Sequence, residues 1–194
     1  MKHVPNLLSA ARLALAPYLF VLLWRRQYAP ALVFCLVAGL TDGLDGLLAR
    51  RFQVSSRLGA YLDPMADKVL LSGAFLTLAL DGAIERWLAV VVLGRDLMIL
   101  VFVAGAFLLT SIRSFPPSIW GKASTAAQIA FIGVLLGHLS GFFVGSTGVL
   151  LVTAMKWLTA ALACWSGAHY AWVGLSMARD ARARPDAALM RTPL

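Results

Sequence analysis

Six apolar stretches divide the chain, and each is long enough for a helix to cross a hydrocarbon layer of about 30 Å. They run from Leu7 to Trp24, Ala29 to Ala49, Leu58 to Leu80, Trp87 to Thr110, Ile119 to Ser140 and Val149 to Met177. A soluble domain of 194 residues does not carry 60% hydrophobic and 13% charged residues with a mean hydropathy of +0.81. The expected fold is therefore an all-α integral membrane protein with six transmembrane helices. Residues 1–178 form one membrane domain, and 179–194 read as a mobile basic tail broken by proline. Between the stretches stand turn signals, notably Asp81-Gly82, Phe115-Pro116-Pro117-Ser118 and Gly145-Ser146-Thr147-Gly148, with no room for a soluble domain.

The first stretch does not read as a cleaved signal peptide, because Arg12 interrupts it and no small-x-small site follows. Ser9 as a cap, with Arg12 snorkelling, suggests a short interfacial N-terminal helix that then enters the bilayer. Basic residues outnumber acidic ones 17 to 9. Placing the N-terminus inside puts Lys2, Arg50, Arg51, Arg57, Arg113, Lys122, Arg179, Arg182, Arg184 and Arg191 on the cytoplasmic side, against Arg25, Arg26 and Arg86 outside. The excess thus orients the chain and meets anionic lipid, and no motif supports nucleic acid. Cys35 and Cys164 lie inside apolar stretches as small hydrophobes.

Acidic residues at membrane depth need a partner, a wet cavity or a metal. Four of the nine acids, Asp42, Asp45, Asp63 and Asp67, fall between the second and third stretches. Asp42 and Asp45 are i and i+3, and Asp63 and Asp67 are i and i+4, so each pair shares a helix face. Arg50, Arg51 and Arg57 mark a turn that would make the two helices antiparallel neighbours and bring both pairs to one cytoplasmic depth. Four carboxylates in one pocket repel unless a hard cation with oxygen ligands relieves them, and magnesium is the first expectation. Gly43, Gly46 and Gly59 permit close approach of a helix or a phosphate, and Arg50 offers a planar fork to a phosphate. The reading is a metal-held phosphoanhydride substrate; a cation pathway or a proton relay, with the glycines serving packing, is the alternative.

Asp42-Gly43-Leu44-Asp45-Gly46-Leu47-Leu48-Ala49-Arg50, eight residues, then Gly59-Ala60-Tyr61-Leu62-Asp63-Pro64-Met65-Ala66-Asp67 resembles the CDP-alcohol phosphatidyltransferase signature D-x-x-D-G-x-x-A-R-x(8)-G-x-x-x-D-x-x-x-D at all eight fixed positions. Pro5 to Arg12 resembles the family's N-terminal segment, and the six-span layout agrees. The resemblance implies metal-dependent transfer of a phosphatidyl group from CDP-diacylglycerol to an alcohol, releasing CMP. It implies Asp42, Asp45, Asp63 and Asp67 as ligands of magnesium or manganese, two ions per site, with Asp67 also the general base. Gly46, Ala49, Arg50 and Gly59 would contact the cytidine diphosphate. A homodimer in a bacterial inner membrane, with the active site cytoplasmic, completes the expectation.

Acceptor contacts are sought among polar residues outside the signature: Arg95, Arg113, Lys122 and Thr125, with Asp96, Ser124 and Gln128 nearby. Arg95 either binds an acceptor phosphate or forms a compensating pair with Asp96 inside the fourth stretch. Gly94-Arg95-Asp96-Leu97-Met98 and Lys122 to Gln128 resemble segments of cardiolipin synthases and of phosphatidylglycerolphosphate synthases. The latter usually carry Arg-Glu with a second arginine eight residues on, where this chain has Asp96 and Val103. That favours cardiolipin synthesis from phosphatidylglycerol, with glycerol 3-phosphate as the alternative acceptor. His138 and His169 read as residues satisfied by neighbouring helices, with His169-Tyr170 facing the site as the alternative, and Gly133, Gly137 and Gly141 as a small-residue face of the fifth stretch. A small cation channel or transporter is the rival class; it predicts acids spread along several spans instead of clustered.

Overall fold

Each apolar stretch is a helix in the computed structural model, because no other open backbone arrangement satisfies its N–H and C=O groups without water. The structure describes the backbone of residues 4–52, 59–109 and 118–183, and the side chains of 14–41, 68–102 and 118–174. In chain order the helices are α1 (Val4–Trp24), α2 (Tyr28–Phe52), α3 (Gly59–Leu80), α4 (Arg86–Leu109), α5 (Ile119–Leu139) and α6 (Ser146–Ala183), with no strand among the described residues. Among the described residues Ile119–Leu139 and Ser146–Gly174 are the two helices long and apolar enough to cross a membrane, and shorter apolar segments cover Ala14–Trp24, Tyr28–Thr41 and Lys68–Leu80. Leu40, Val90, Leu100, Leu150 and Trp172 are each at least 61% exposed, a surface suited to lipid.

Three expectations change. The N-terminal helix is continuous from Val4 to Trp24, so Ser9 lies within α1 instead of capping a helix that starts at Ala10. Pro5 falls in its first turn, where a missing N–H breaks no helical hydrogen bond. At the other end α6 runs through the 178/179 boundary to Ala183, and residues 184–194 lie outside the described set. Gly141 is not on the α5 face at all: it sits in the following turn at φ 83°. A side chain at Gly137 would strike the Phe143 ring, whereas Gly133 faces open space.

The principal contacts close into a ring. α1 packs on α2 and α3, α6 packs on α4 and α5, and the two triplets join where α3 meets α4 and α2 meets α5. Among the described residues the acid-bearing helices α2 and α3 are thus bridged mainly by α1, not by the direct hairpin packing that the short basic turn suggests. Phe75 of α3 and Phe131 of α5 stack across the ring at 5.9 Å, both buried, and plug it toward the end that holds the α1–α2, α3–α4 and α5–α6 loops. The apolar core, including Leu22, Leu23, Leu78, Leu88, Val92, Leu135 and Leu136, fills that same end. Buried polar residues Arg95, Ser124, Gln128 and Ser166 lie further toward the other end, where the acids ride.

The plugged end is closed by repeated chemistry. In α1 the N–H of Gln27 reaches Leu22 O and that of Arg26 reaches Leu23 O; in α5 the N–H of Phe142 reaches Gly137 O and that of Gly141 reaches His138 O. Both are the left-handed helix terminus usually built on glycine, and Ala83 N to Leu78 O repeats it after α3 around Gly82. Arg26 occupies that position at φ 57° and binds Asp81, which also accepts from Tyr28 Oη at 3.0 Å. The carboxylate holds the Arg26 guanidinium above its ordinary range through this hydrogen bond.

α4 and α6 run parallel in fixed register. Glu85 meets Lys156 and Arg95 meets Ser166, each pair 71 residues apart, about 15 Å from one contact to the next at the helical rise. Trp87 stacks beside Trp157 at 5.5 Å, and Gly174 lies against Phe102, so the same alignment persists along both helices.

Candidate active site

Asp42, Asp45, Gly46, Ala49 and Arg50 lie in the C-terminal part of α2, and Gly59, Asp63 and Asp67 in the first turns of α3. Because both segments are helical, Asp42 and Asp45 are about 60° apart around one axis and Asp63 and Asp67 about 40° apart around the other. Each pair therefore occupies one helix face. The side chains of these residues, and the convergence expected of the four carboxylates, lie outside the described residues, as does Arg113. Among the described residues no group of three or more His, Cys, Asp or Glu is placed to hold a metal.

The described site begins one residue after Asp67. Lys68 Nζ lies 3.5 Å from Asp96 Oδ1, which joins α3 to α4. Asp96 is 14% exposed and also accepts from Arg95 Nη1 at 2.5 Å, so one carboxylate stands between two cations. Arg95, itself buried, donates from Nη2 to Ser166 Oγ at 2.8 Å and to Gly121 O at 3.4 Å, and from Nε to Ser166 Oγ at 3.3 Å. A single guanidinium thereby ties α4 to α5 and α6. That commitment to internal partners suits the compensating-pair reading of Arg95 and Asp96, since a buried ion pair is tolerable only when its hydrogen-bonding groups are used.

The α5 N-terminus is fastened to this knot. Ser118 caps α5 by accepting from Gly121 N at 3.0 Å, and its own N–H donates to Tyr170 Oη at 3.1 Å. A Cβ at Gly121 would lie 3.2 Å from Tyr170 Oη and 3.3 Å from Arg95 Nη2, tight enough that those side chains would have to give by a few tenths of an ångström. Thr125 Oγ1 turns back onto Gly121 O at 3.2 Å, whereas Lys122 is exposed beside that helix start. Deeper in, Ser124 and Gln128 bond each other at 3.3 Å and Thr159 donates to Ala127 O, fastening α5 to α6. Among the described residues buried Gln128 Oε1 and His169 Nδ1 have no hydrogen-bond partner, and His138 Nδ1 meets Phe143 O, in the loop after its own helix, at 2.7 Å, so neither histidine is satisfied by a neighbouring helix as expected.

Of the acceptor candidates, Arg95, Lys122 and Thr125 share one region of α4 and α5. Ser166, Tyr170 and Lys68 belong to the same region; Tyr170 is the residue that the His169-Tyr170 pair offered, whereas Ser166 and Lys68 carry no sequence signal of it, since each depends on contacts between distant segments. Ser166 is one small hydroxyl residue in a long apolar helix, recognisable only once α4 and α6 are in register.

The family model for CDP-alcohol phosphatidyltransferase matches residues 2–165. A CDP-diacylglycerol-glycerol-3-phosphate 3-phosphatidyltransferase of Aquifex aeolicus is 34% identical over 161 residues, covering 79% of this chain and 88% of that protein. A cardiolipin synthase (CMP-forming) of Streptomyces coelicolor is 33% identical over 182 residues, covering 89% and 79%. A probable cardiolipin synthase (CMP-forming) of Drosophila melanogaster is 31% identical over 154 residues, covering 69% of this chain, which spans about half (47%) of the fly protein's length.

Proposed function

The chain belongs to the CDP-alcohol phosphatidyltransferase family, and we propose that it makes cardiolipin by transferring a phosphatidyl group from CDP-diacylglycerol to phosphatidylglycerol. The observation that carries the reaction type is the complete eight-position signature borne on two successive helices, α2 and α3, whose acid pairs each occupy one helix face. Its membrane setting follows from the family and from the apolar exterior of the ring. All six helices cross a bacterial inner membrane, with the N-terminus and the acid-bearing end in the cytoplasm, as the basic residues favour. The working form is a homodimer.

The donor set suits a hard divalent cation, because carboxylates from i, i+3 and i, i+4 positions offer oxygen ligands only. Asp42, Asp45, Asp63 and Asp67 would hold magnesium or manganese, two ions in all; when bound, these neutralise the diphosphate and stabilise charge on the departing CMP. Gly46, Ala49, Arg50 and Gly59 border the cytidine diphosphate. The acceptor oxygen bonds to the phosphatidyl phosphorus in line, the anhydride P–O bond breaks, and CMP leaves with the electron pair. Asp67 takes the proton from the acceptor hydroxyl.

Phosphatidylglycerol is favoured as acceptor by the cations at hand. Asp96 and Ser166 occupy the Arg95 guanidinium, and Val103 stands where a second arginine would be. Exposed Lys122 can meet the single charge of a phosphodiester, whereas the dianionic phosphate of glycerol 3-phosphate calls for paired arginines. Relatives bearing either name leave glycerol 3-phosphate as the second reading. Purified protein given CDP-diacylglycerol and magnesium, with each acceptor offered separately, tests both. Cardiolipin and CMP are expected with phosphatidylglycerol; product with glycerol 3-phosphate alone would overturn the acceptor, and no CMP with any alcohol would overturn the reaction.

A further inference from the structure

We propose that the Lys68–Asp96 bridge is a positioning device, setting the acid-bearing turn of α3 against the half of the ring that receives the acceptor. This rests on the phosphatidyltransferase reading above. The ring consists of two triplets, α1 with α2 and α3, and α6 with α4 and α5, joined only through α3–α4 and α2–α5 among its principal contacts. All four signature aspartates ride on the first triplet, and Lys122 and Thr125 on the second. Attack by an acceptor held on one triplet upon a donor held by the other depends on how the two are set, and small misplacements of reacting groups are costly.

The α3–α4 joint is secured unequally along its length. Near the α3–α4 loop, buried Leu78, Leu88 and Val92 hold it. Lys68 lies twelve residues before Leu80, about 18 Å along the helix, and there Lys68–Asp96 is the ion pair between the two helices among the described residues. On the α4 side the anchor is rigid, since Asp96 is held by Arg95, and Arg95 by Ser166 of α6 and Gly121 of α5. On the α3 side the anchor is the residue directly after Asp67. The bridge therefore fixes the turn that carries the general base, although neither Lys68 nor Asp96 is assigned a contact with substrate or metal. Lys68 is half exposed, and its removal leaves Asp96 still paired with Arg95, so the second triplet stays intact when the bridge is cut.

The test uses the full chain in detergent with Lys68→Gln, Lys68→Arg, Asp96→Asn and the Lys68→Gln/Asp96→Asn double variant. Two readouts are taken: steady-state kinetics with CDP-diacylglycerol and phosphatidylglycerol, and amide hydrogen exchange of residues 59–70 without metal or substrate. Lys68→Gln is expected to lower kcat about 10- to 100-fold and to speed exchange in 59–70, leaving α1 and α5 unchanged. Lys68→Arg keeps the charge and stays near wild type, and the double variant is no slower than the more damaged single. Unchanged exchange in Lys68→Gln overturns the proposal, as does a raised CDP-diacylglycerol KM with unchanged exchange, which would mark Lys68 as a direct phosphate contact. Multiplying losses in the double variant also overturn it. Should Asp96→Asn not fold, Lys68→Gln against Lys68→Arg still decides. If the wild-type protein releases no CMP with any alcohol, the reaction assignment fails while the exchange comparison still judges the bridge.

Discussion

Arg26 donates from Nε to Asp81 Oδ1 at 3.0 Å while its own backbone lies in the left-handed region at φ 57°. The two facts oppose each other. The conformation is one that a side chain makes costly and glycine adopts freely, whereas the ion pair requires the side chain. Arg26→Ala keeps the strain and loses the pair, so it should unfold at a lower temperature than wild type. Arg26→Gly loses the pair but relieves the strain, and its midpoint should fall between the other two. Thermal unfolding in detergent gives the order; Arg26→Gly below Arg26→Ala would show that the turn is not what limits this end.

Gly121 stands between Arg95 and Tyr170, where a methyl group would make tight contacts of 3.2 and 3.3 Å. Gly121→Ala should destabilise by about 1–3 kcal/mol, the usual cost of overpacking, because Arg95 and Tyr170 are both held by other partners and cannot retreat freely. Tyr170→Phe removes the oxygen that would be struck and the acceptor for Ser118 N–H, at about 1 kcal/mol. Combining them should cost less than the sum, since the second change vacates part of the space the first demands. A strictly additive thermal shift would mean the two sites do not share that space.

Glu85, in the loop before α4, is hydrogen-bonded by Lys156, which holds its carboxyl below the ordinary 4.5. A folded-state value below the unfolded one means stability that is present above pH 4.5 and is lost as pH falls through the lower, folded value. The carboxylate is 49% exposed, so screening keeps the contribution under about 1 kcal/mol. Wild type should be the more stable of it and Glu85→Gln at neutral pH, with the gap closing in acid. A gap that persists unchanged to pH 3 would assign the effect to something other than this titration.

How much of this was legible beforehand follows from what each feature depends on. Helix positions could be read closely because an apolar run must be buried or lipid-facing whatever surrounds it; the expected stretch Ile119 to Ser140 ends one residue beyond α5. The start of α1 could not, since Ser9 offers a good cap but the helix had already begun at Val4. Arg26 at a left-handed terminus gives no local sign, because glycine is the residue that marks such turns. The pairing of Lys156 with Glu85, and of Ser166 with Arg95, has no local sign, because the register of α4 on α6 is a property of two packed surfaces and of neither sequence alone. The aspartate spacing is local by contrast, and the helical backbone of α2 and α3 keeps each pair on one face.

Asp67 and Asp63 should differ in what their loss removes. Asp67→Asn deletes the proposed base as well as a proposed ligand, and turnover should fall by at least about 10²- to 10⁴-fold at any metal concentration. Asp63→Asn deletes only a proposed ligand, and part of its loss should be recovered at high magnesium. Chelation should abolish CMP release, with recovery on adding magnesium or manganese. An active Asp67→Asn variant would remove Asp67 as the base, and activity that survives chelation would remove the metal.

The acceptor can be moved if the charge argument is right. Val103 is eight residues after Arg95 on α4, about 12 Å nearer the acid-bearing end and about 80° around the helix. An arginine there would add a fork with no carboxylate beside it in sequence, unlike Arg95, which has Asp96. Wild type should prefer phosphatidylglycerol, and Val103→Arg should raise kcat/KM for glycerol 3-phosphate by about tenfold, the size of one charge-assisted hydrogen bond to a phosphate. The same variant should gain nothing with phosphatidylglycerol, whose phosphodiester has one charge to meet. Equal gains with both acceptors would point to general attraction of anions, and no gain with either would mean that α4 at Val103 does not border the acceptor.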